Sequence, residues 1–113
     1  MYKKIHKYHA QKTEIDGITF ASKKEARRYA ELKLLEQAGK IKDLQLQPRF
    51  CLQDGFVYQG KKIRQIEYVA DFQYLIGDVW IVEDCKGMRT EIYKIKKKIF
   101  LKKYGHCYFF RET

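Results

Sequence analysis

Val69-Ala70-Asp71-Phe72-Gln73-Tyr74-Leu75-Ile76-Gly77-Asp78-Val79-Trp80-Ile81-Val82-Glu83-Asp84-Cys85-Lys86 is the stretch on which the fold of this chain turns. At its centre Gly77-Asp78 is a two-residue turn signal between two runs rich in β-branched and aromatic residues, which reads as a hairpin with Ile76 facing Val79. Carried back along both arms, that register sets Phe72 opposite Glu83, Asp71 opposite Asp84 and Val69 opposite Lys86. Directly opposed residues share a face, with Cβ atoms about 4.5–5.5 Å apart. Two carboxylates held that close repel each other, so the pair calls for a compensating positive charge, and a divalent metal would supply it.

Outward from the hairpin, strands are expected at about 43–53, 63–76 and 79–86. Asp54-Gly55 and Gly60 mark the connection between the first two. Pro48 interrupts the first strand, placing it near an edge or at a bulge. Upstream, Thr13-Glu14-Ile15 and Ile18-Thr19-Phe20 flank Asp16-Gly17, a second hairpin signal. Ser22 then opens a helix with Ala26, Tyr29, Ala30, Leu34 and Leu35 at helical spacing, and Gly39 ends it. Downstream, Thr90 opens a second helix whose Ile92, Ile95 and Ile99 repeat at three and four, and Gly105 closes it before a last strand, Cys107 to Phe110. The order helix, three strands, helix, strand makes the last connection a right-handed crossover. The expected class is α/β, a mixed sheet flanked by helices.

The 113 residues suit a single domain with a real core, residues 13–113, preceded by a basic arm, residues 1–12, that carries Lys3, Lys4, Lys7 and Lys12. With 24 Lys and Arg against 14 Asp and Glu, the formal charge is +10, which favours a polyanionic partner. Nucleic acid is the first candidate and an anionic membrane surface the second. No apolar run is long enough to span a bilayer and no signal-peptide stretch follows the first lysines, so a cytoplasmic protein is expected. Cys51, Cys85 and Cys107 are odd in number and widely spaced, which argues for reduced thiols over a disulfide framework or zinc site. His6 and His9 lack the cysteine pair that a zinc site would need.

Hydrolysis of a phosphodiester needs an activated water and a sink for developing charge, and carboxylates that hold Mg²⁺ or Mn²⁺ provide both. Asp71 and Asp84 are the candidate ligands. Lys86, two residues beyond Asp84, points to the same face by strand alternation, where its ammonium would stabilise transition-state charge or, with a lowered pKa, act as a base. The alternative for Asp84 and Lys86 is a surface ion pair, but Val79-Trp80-Ile81-Val82 is apolar on both faces and marks a central, poorly solvated strand. Glu83 is a rival acid on the opposite, core-packed face, and a bulge would exchange the two. Glu25 follows Ser22 by three residues, the pattern of a helix capping box, so it is either a cap or the third acid of the site. Lys94, Lys96, Lys97, Lys98, Lys102 and Lys103 make the second helix strongly basic, suited to phosphate positioning rather than base reading.

With these residues in place the chain resembles the PD-(D/E)XK nuclease superfamily, whose restriction-endonuclease-like core runs αβββαβ. More narrowly it is similar to a family of small phage and prophage proteins without assigned function, through Tyr8-His9-Ala10, Asp16-Gly17-Ile18, Ser22-Lys23-Lys24-Glu25-Ala26, Gln47-Pro48, Ala70-Asp71-Phe72, Val82-Glu83-Asp84-Cys85-Lys86-Gly87 and Lys96-Lys97-Lys98. The Glu25 helix, the Gln47-Pro48 strand and the later acidic strands also look like the nuclease domain of certain transposition proteins. Ala70 stands where the superfamily's named proline would precede Asp71. The resemblance implies that Asp71 and Asp84 bind Mg²⁺ or Mn²⁺, that Glu25 completes the acidic set and that Lys86 is the catalytic lysine. It implies a DNA endonuclease acting on branched or replication and recombination intermediates, in bacterial cytoplasm if phage-encoded. DNA would be bound by Lys94, Lys96, Lys97 and Lys98 with Lys3 and Lys4 of the arm. A symmetric homodimer would suit cutting both strands. The competing readings are a noncatalytic nucleic-acid-binding module of the same fold and an interaction protein that blocks a host factor.

Overall fold

The hairpin at Gly77-Asp78 forms in the expected register. In the computed structural model, which describes residues 12–113, Gly77 takes φ +57° at the turn, and Ile76 to Phe72 pair antiparallel with Val79 to Glu83. The elements run β1 (Thr13–Ile15), β2 (Ile18–Phe20), α1 (Lys23–Gln37), β3 (Lys42–Leu46), β4 (Arg49–Gln53), β5 (Phe56–Tyr58), β6 (Lys61–Ile63), β7 (Ile66–Val69), β8 (Phe72–Ile76), β9 (Val79–Asp84), α2 (Glu91–Tyr104) and β10 (Phe109–Glu112). The basic arm's Lys3, Lys4 and Lys7, together with His6 and His9, lie outside the described residues.

A mixed four-stranded sheet, in the order β10-β9-β8-β3, forms the centre, with β9 between an antiparallel and a parallel neighbour. The parallel partner is β10, reached through α2, as a crossover helix requires. It pairs over Phe109–Glu112 and so lies two residues later than the expected Cys107 to Phe110.

Two of the expected strands are broken in the middle, and the breaks face each other. The 43–53 run divides at Gln47-Pro48 into β3 and β4, and the 63–76 run divides at Ala70-Asp71 into β7 and β8. Pro48 has no amide hydrogen to give a ladder, and Gln47 takes φ +51°, which an extended strand does not use. The arms stay tied across the kink by Gln47 N–H to the Asp71 carbonyl at 2.9 Å and Ala70 N–H to the Pro48 carbonyl at 3.1 Å. Beyond it, β4 and β7 pair separately, with Val69 opposite Arg49. This corrects the expectation that Val69 faces Lys86, because β7 turns away from β9 at Ala70.

Helix α1 begins on an N-cap, Ser22, whose Oγ accepts the Glu25 N–H, and it buries Ala26, Tyr29 and Leu32 against Phe20, Ile41, Phe72, Tyr74 and Ile81. Leu34 and Leu35, expected on that stripe, are exposed, and Leu32 packs instead. On the other side Tyr93 and Phe100 of α2 join Phe50, Leu52, Tyr68, Ala70 and Val82 in a second cluster. Ile92, Ile95 and Ile99 face outward, which overturns the isoleucine stripe as the packed face. The aromatics compete better for the interior because each buries more area: the Phe100 ring lies 4.9 Å from that of Phe50 and 5.2 Å from that of Tyr68. Burying a side chain such as Phe72 or Phe100 is worth roughly 1.5–3 kcal/mol. No helix among the described residues is long and apolar enough to cross a membrane.

Candidate active site

The kink and the end of β9 bring the acids together. Asp84 is the last residue of β9 and is fully buried. Its Oδ2 accepts a hydrogen bond from the Tyr68 hydroxyl, while among the described residues no N–H or hydroxyl donor reaches the buried Oδ1 with hydrogen-bond geometry. The nearest cation to Oδ1 is Lys86, whose Nζ lies 3.3 Å away, an ion-pair distance without hydrogen-bond geometry. Lys86 is held by its own N–H to the Thr113 carbonyl at 3.2 Å, and its ammonium sits 4.8 Å over the Tyr93 ring. Tyr93 is fixed in turn by its hydroxyl on Glu112, a carboxylate that Arg89 and Lys97 also contact.

Asp71 stands in the break between β7 and β8. Its N–H reaches the Glu83 carbonyl at 3.1 Å, and its Oδ2 accepts the Cys85 N–H at 2.7 Å, so the regular ladder stops at Phe72–Glu83 while the carboxylate is turned toward the end of β9. Burial, a hydrogen bond with the Asp84 carboxyl and the charges of Asp84 and Glu25 push its pKa up, against a smaller opposing effect of the Cys85 amide. Glu25 is also raised, first by burial, with Lys86 opposing and Asp84 reinforcing. Glu25, Gln47 and Asp71 line one cavity of about 140 Å³.

Only half of the capping box forms. Ser22 accepts the Glu25 amide at 3.1 Å, but among the described residues the Glu25 carboxylate makes no return bond to Ser22. Its side chain is therefore spent on the cavity and not on the cap. Glu25→Gln should leave the melting temperature unchanged or slightly higher, since no cap bond is lost. A clearly lower melting temperature would return Glu25 to a structural role.

Glu83, the rival acid, lies on the α1 face, fully buried, and is answered there by Arg28 through Nε at 2.6 Å and Nη2 at 3.1 Å, with the Tyr74 hydroxyl also donating. Its charge is already compensated, so of the two adjacent acids Asp84 is the one that faces Asp71 and Lys86. The sequence reading missed Arg28, Tyr68, Tyr93, Glu112 and Arg89. No local signal ties Arg28 to Glu83, which lies 55 residues away.

The chemistry of the donor set fits a small divalent cation. Among the described residues no group of three His, Cys, Asp or Glu side chains forms a ready cage. Mg²⁺ does not need one, since it commonly binds through one or two carboxylates and fills its octahedron with water and substrate phosphate. Asp71 and Asp84 would hold it, with Asp84 Oδ1, which accepts from no backbone amide or hydroxyl, as a donor.

The basic residues of α2 divide. Lys94, Lys97 and Lys98 line one groove with Arg89, of about 270 Å³, whereas Lys96 is not part of it. Lys97 is committed to Glu112 at 3.5 Å and to the Phe110 ring at 5.2 Å, and Lys94 pairs with Glu91 at 3.2 Å.

Fold and site together define a basic, mixed α/β protein with a carboxylate–lysine cluster at the end of a central strand. The chain belongs to the family described as "Protein of unknown function (DUF1064)", whose model matches residues 5–110. No curated protein and no solved structure matches it.

Proposed function

We propose that the chain is a metal-dependent nuclease that hydrolyses DNA phosphodiester bonds, with a restriction-endonuclease-like αβββαβ core of the PD-(D/E)XK kind. Once β3–β4 and β7–β8 are each taken as one kinked arm, the element order supports that core. The observation that carries the reading is the Asp71–Asp84 carboxyl pair at the buried end of β9, with the Lys86 ammonium 3.3 Å from Asp84 Oδ1. A fully buried acid set against a half-buried one costs free energy that packing alone does not explain.

Asp71 and Asp84 would hold Mg²⁺ or Mn²⁺, which when bound supplies an activated water and offsets charge on the phosphoryl oxygens. Lys86, held between Asp84 and the Tyr93 ring, places a positive charge where the attacking oxygen and the phosphorane become negative. Glu25 lines the cavity beside Asp71, where it would orient or deprotonate a water. Arg89, Lys94, Lys97 and Lys98 offer the phosphate backbone a track along α2, with Lys96 and the arm's Lys3 and Lys4 as further contacts.

The test is incubation of the purified protein with labelled linear, nicked, single-stranded and four-way DNAs in Mg²⁺ and in EDTA, beside Lys86→Ala. Cleavage should require the metal, and Lys86→Ala should bind DNA nearly as well as wild type while cutting roughly 10²-fold more slowly. Metal-independent binding with no cutting of any substrate would leave a noncatalytic DNA-binding module.

A further inference from the structure

The connection between β4 and β7 forms a ribbon of its own. β5 and β6 pair antiparallel around Gln59-Gly60, both at positive φ (+50° and +77°), the signature of a tight hairpin turn. Every residue of both strands is exposed, including Phe56 at 47%, Val57 at 65%, Tyr58 at 59% and Ile63 at 38%. An isolated two-stranded ribbon is marginal in water, and exposed aromatics on it are a liability unless something covers them. Its base is closely fitted: a Cβ on Gly55 would come within 2.9 Å of the Ile63 carbonyl, so only glycine lets the two arms meet there.

We propose that this ribbon is a duplex-DNA-binding arm. Lys61, Lys62 and Arg64 carry its charge, no acid occurs from Gly55 to Ile66, and none of the three cations has an ion pair among the described residues. The pairing of Phe56 with Ile63 and of Tyr58 with Lys61 puts two rings, an isoleucine and a lysine on one face, and Val57 with Lys62 on the other. Cations therefore border apolar side chains on both faces, the chemistry of an element that contacts phosphates and fits its body into a groove. The major groove, about 12 Å wide, admits a two-stranded ribbon. β7, which the ribbon feeds, begins five residues before Asp71, at most roughly 17 Å of chain, which is within one helical turn of duplex. A second copy of the chain fits less well, since two ribbons meeting would oppose like charges. An anionic membrane fits less well because neither face is free of lysine. The inference rests on the nucleic-acid reading above only for the identity of the polyanion.

The experiment is anisotropy of a labelled 30-base-pair duplex without divalent metal, at salt from 50 to 200 mM, for wild type and for the combined Lys61→Gln, Lys62→Gln, Arg64→Gln variant. The salt slope should become shallower by about 2–3, since each phosphate contact contributes about 0.9. The melting temperature should hold, as the substituted side chains are exposed. If the triple variant does melt lower, Lys62→Gln alone carries the test with a slope change of about 1. Equal affinity and slope in wild type and variant overturn the inference. So does a variant that keeps DNA binding but loses binding to phosphatidylserine vesicles, or one that shifts from dimer to monomer in sedimentation. Because binding is read without cleavage, a protein that grips duplex through the ribbon but never cuts leaves the inference standing and removes only the nuclease reading.

Discussion

Asp84→Asn is expected to lower cleavage on the order of 10³-fold and at the same time to make the metal-free protein more stable. Asp84 is fully buried and faces Asp71, a half-buried acid, with Lys86 its nearest cation at 3.3 Å. Asparagine keeps an acceptor for the Tyr68 hydroxyl, gains a donor toward Asp71 and removes one buried negative charge. A gain on the order of 1 kcal/mol, about 4–8 °C in a domain of this size, is the expected scale. The pH dependence follows from Asp71, whose carboxyl is pushed up to about 8 from 3.8. Native protein then holds a proton that the unfolded chain has released, so stability falls as pH rises from about 4 toward 8 and is level beyond. The Asp84→Asn curve should be flatter over that window. Thermal melts in EDTA from pH 4 to 9 with a parallel cleavage assay decide the matter. A lower melting temperature at every pH would mean that Lys86 already neutralises the pair and that Asp84 is structural.

Removing Arg28 should damage the fold as severely as truncating a buried core aromatic. Glu83 is fully buried, and its two oxygens are held by the Arg28 guanidinium, itself only 17% exposed. Breaking a buried pair by deleting one partner strands the other charge, at roughly 3–5 kcal/mol, a large part of the 5–15 kcal/mol that keeps a domain folded. Arg28→Ala should therefore lower the urea midpoint sharply at an unchanged slope, and adding Glu83→Gln should recover much of the loss. Equal midpoints for Arg28→Ala and wild type would show that Tyr74 and water suffice for Glu83. Glu83→Gln alone should retain cleavage, which separates it from Asp84→Asn.

Much of this architecture was legible locally. Asp16-Gly17 and Gly77-Asp78 specify tight turns because their backbones accept the required dihedral angles, and Ser22 and Thr90 specify helix starts because their hydroxyls accept amides three residues on. The hairpin register and the two-residue alternation of a strand are enough to put Asp84 and Lys86 on one face and Glu83 on the other. Asp71 near Asp84 followed from the same register, although the ladder itself ends one pair earlier.

What only the tertiary structure decided depends on segments that are remote in sequence. The kink at Gln47-Pro48 takes effect because the opposite arm breaks at Ala70-Asp71 to match it, and that match turns the Asp71 carboxylate toward the end of β9. The 54–62 stretch read as a connection between strands, since nothing local says whether a hairpin signal will project from the fold or pack against it. Period alone could not choose between the isoleucine and aromatic faces of α2. That choice fell to Tyr93 and Phe100, because Phe50 and Tyr68 from other strands offered larger surfaces to bury against. Glu83 and Asp84 were adjacent acids of opposite face and undecided role until Arg28 arrived from 55 residues away to satisfy one and leave the other to Asp71 and Lys86. Dihedral preference and alternation act over a few residues, and so the sequence determined turns, caps and faces; burial and charge compensation are competitions among distant side chains, which only the folded chain resolves.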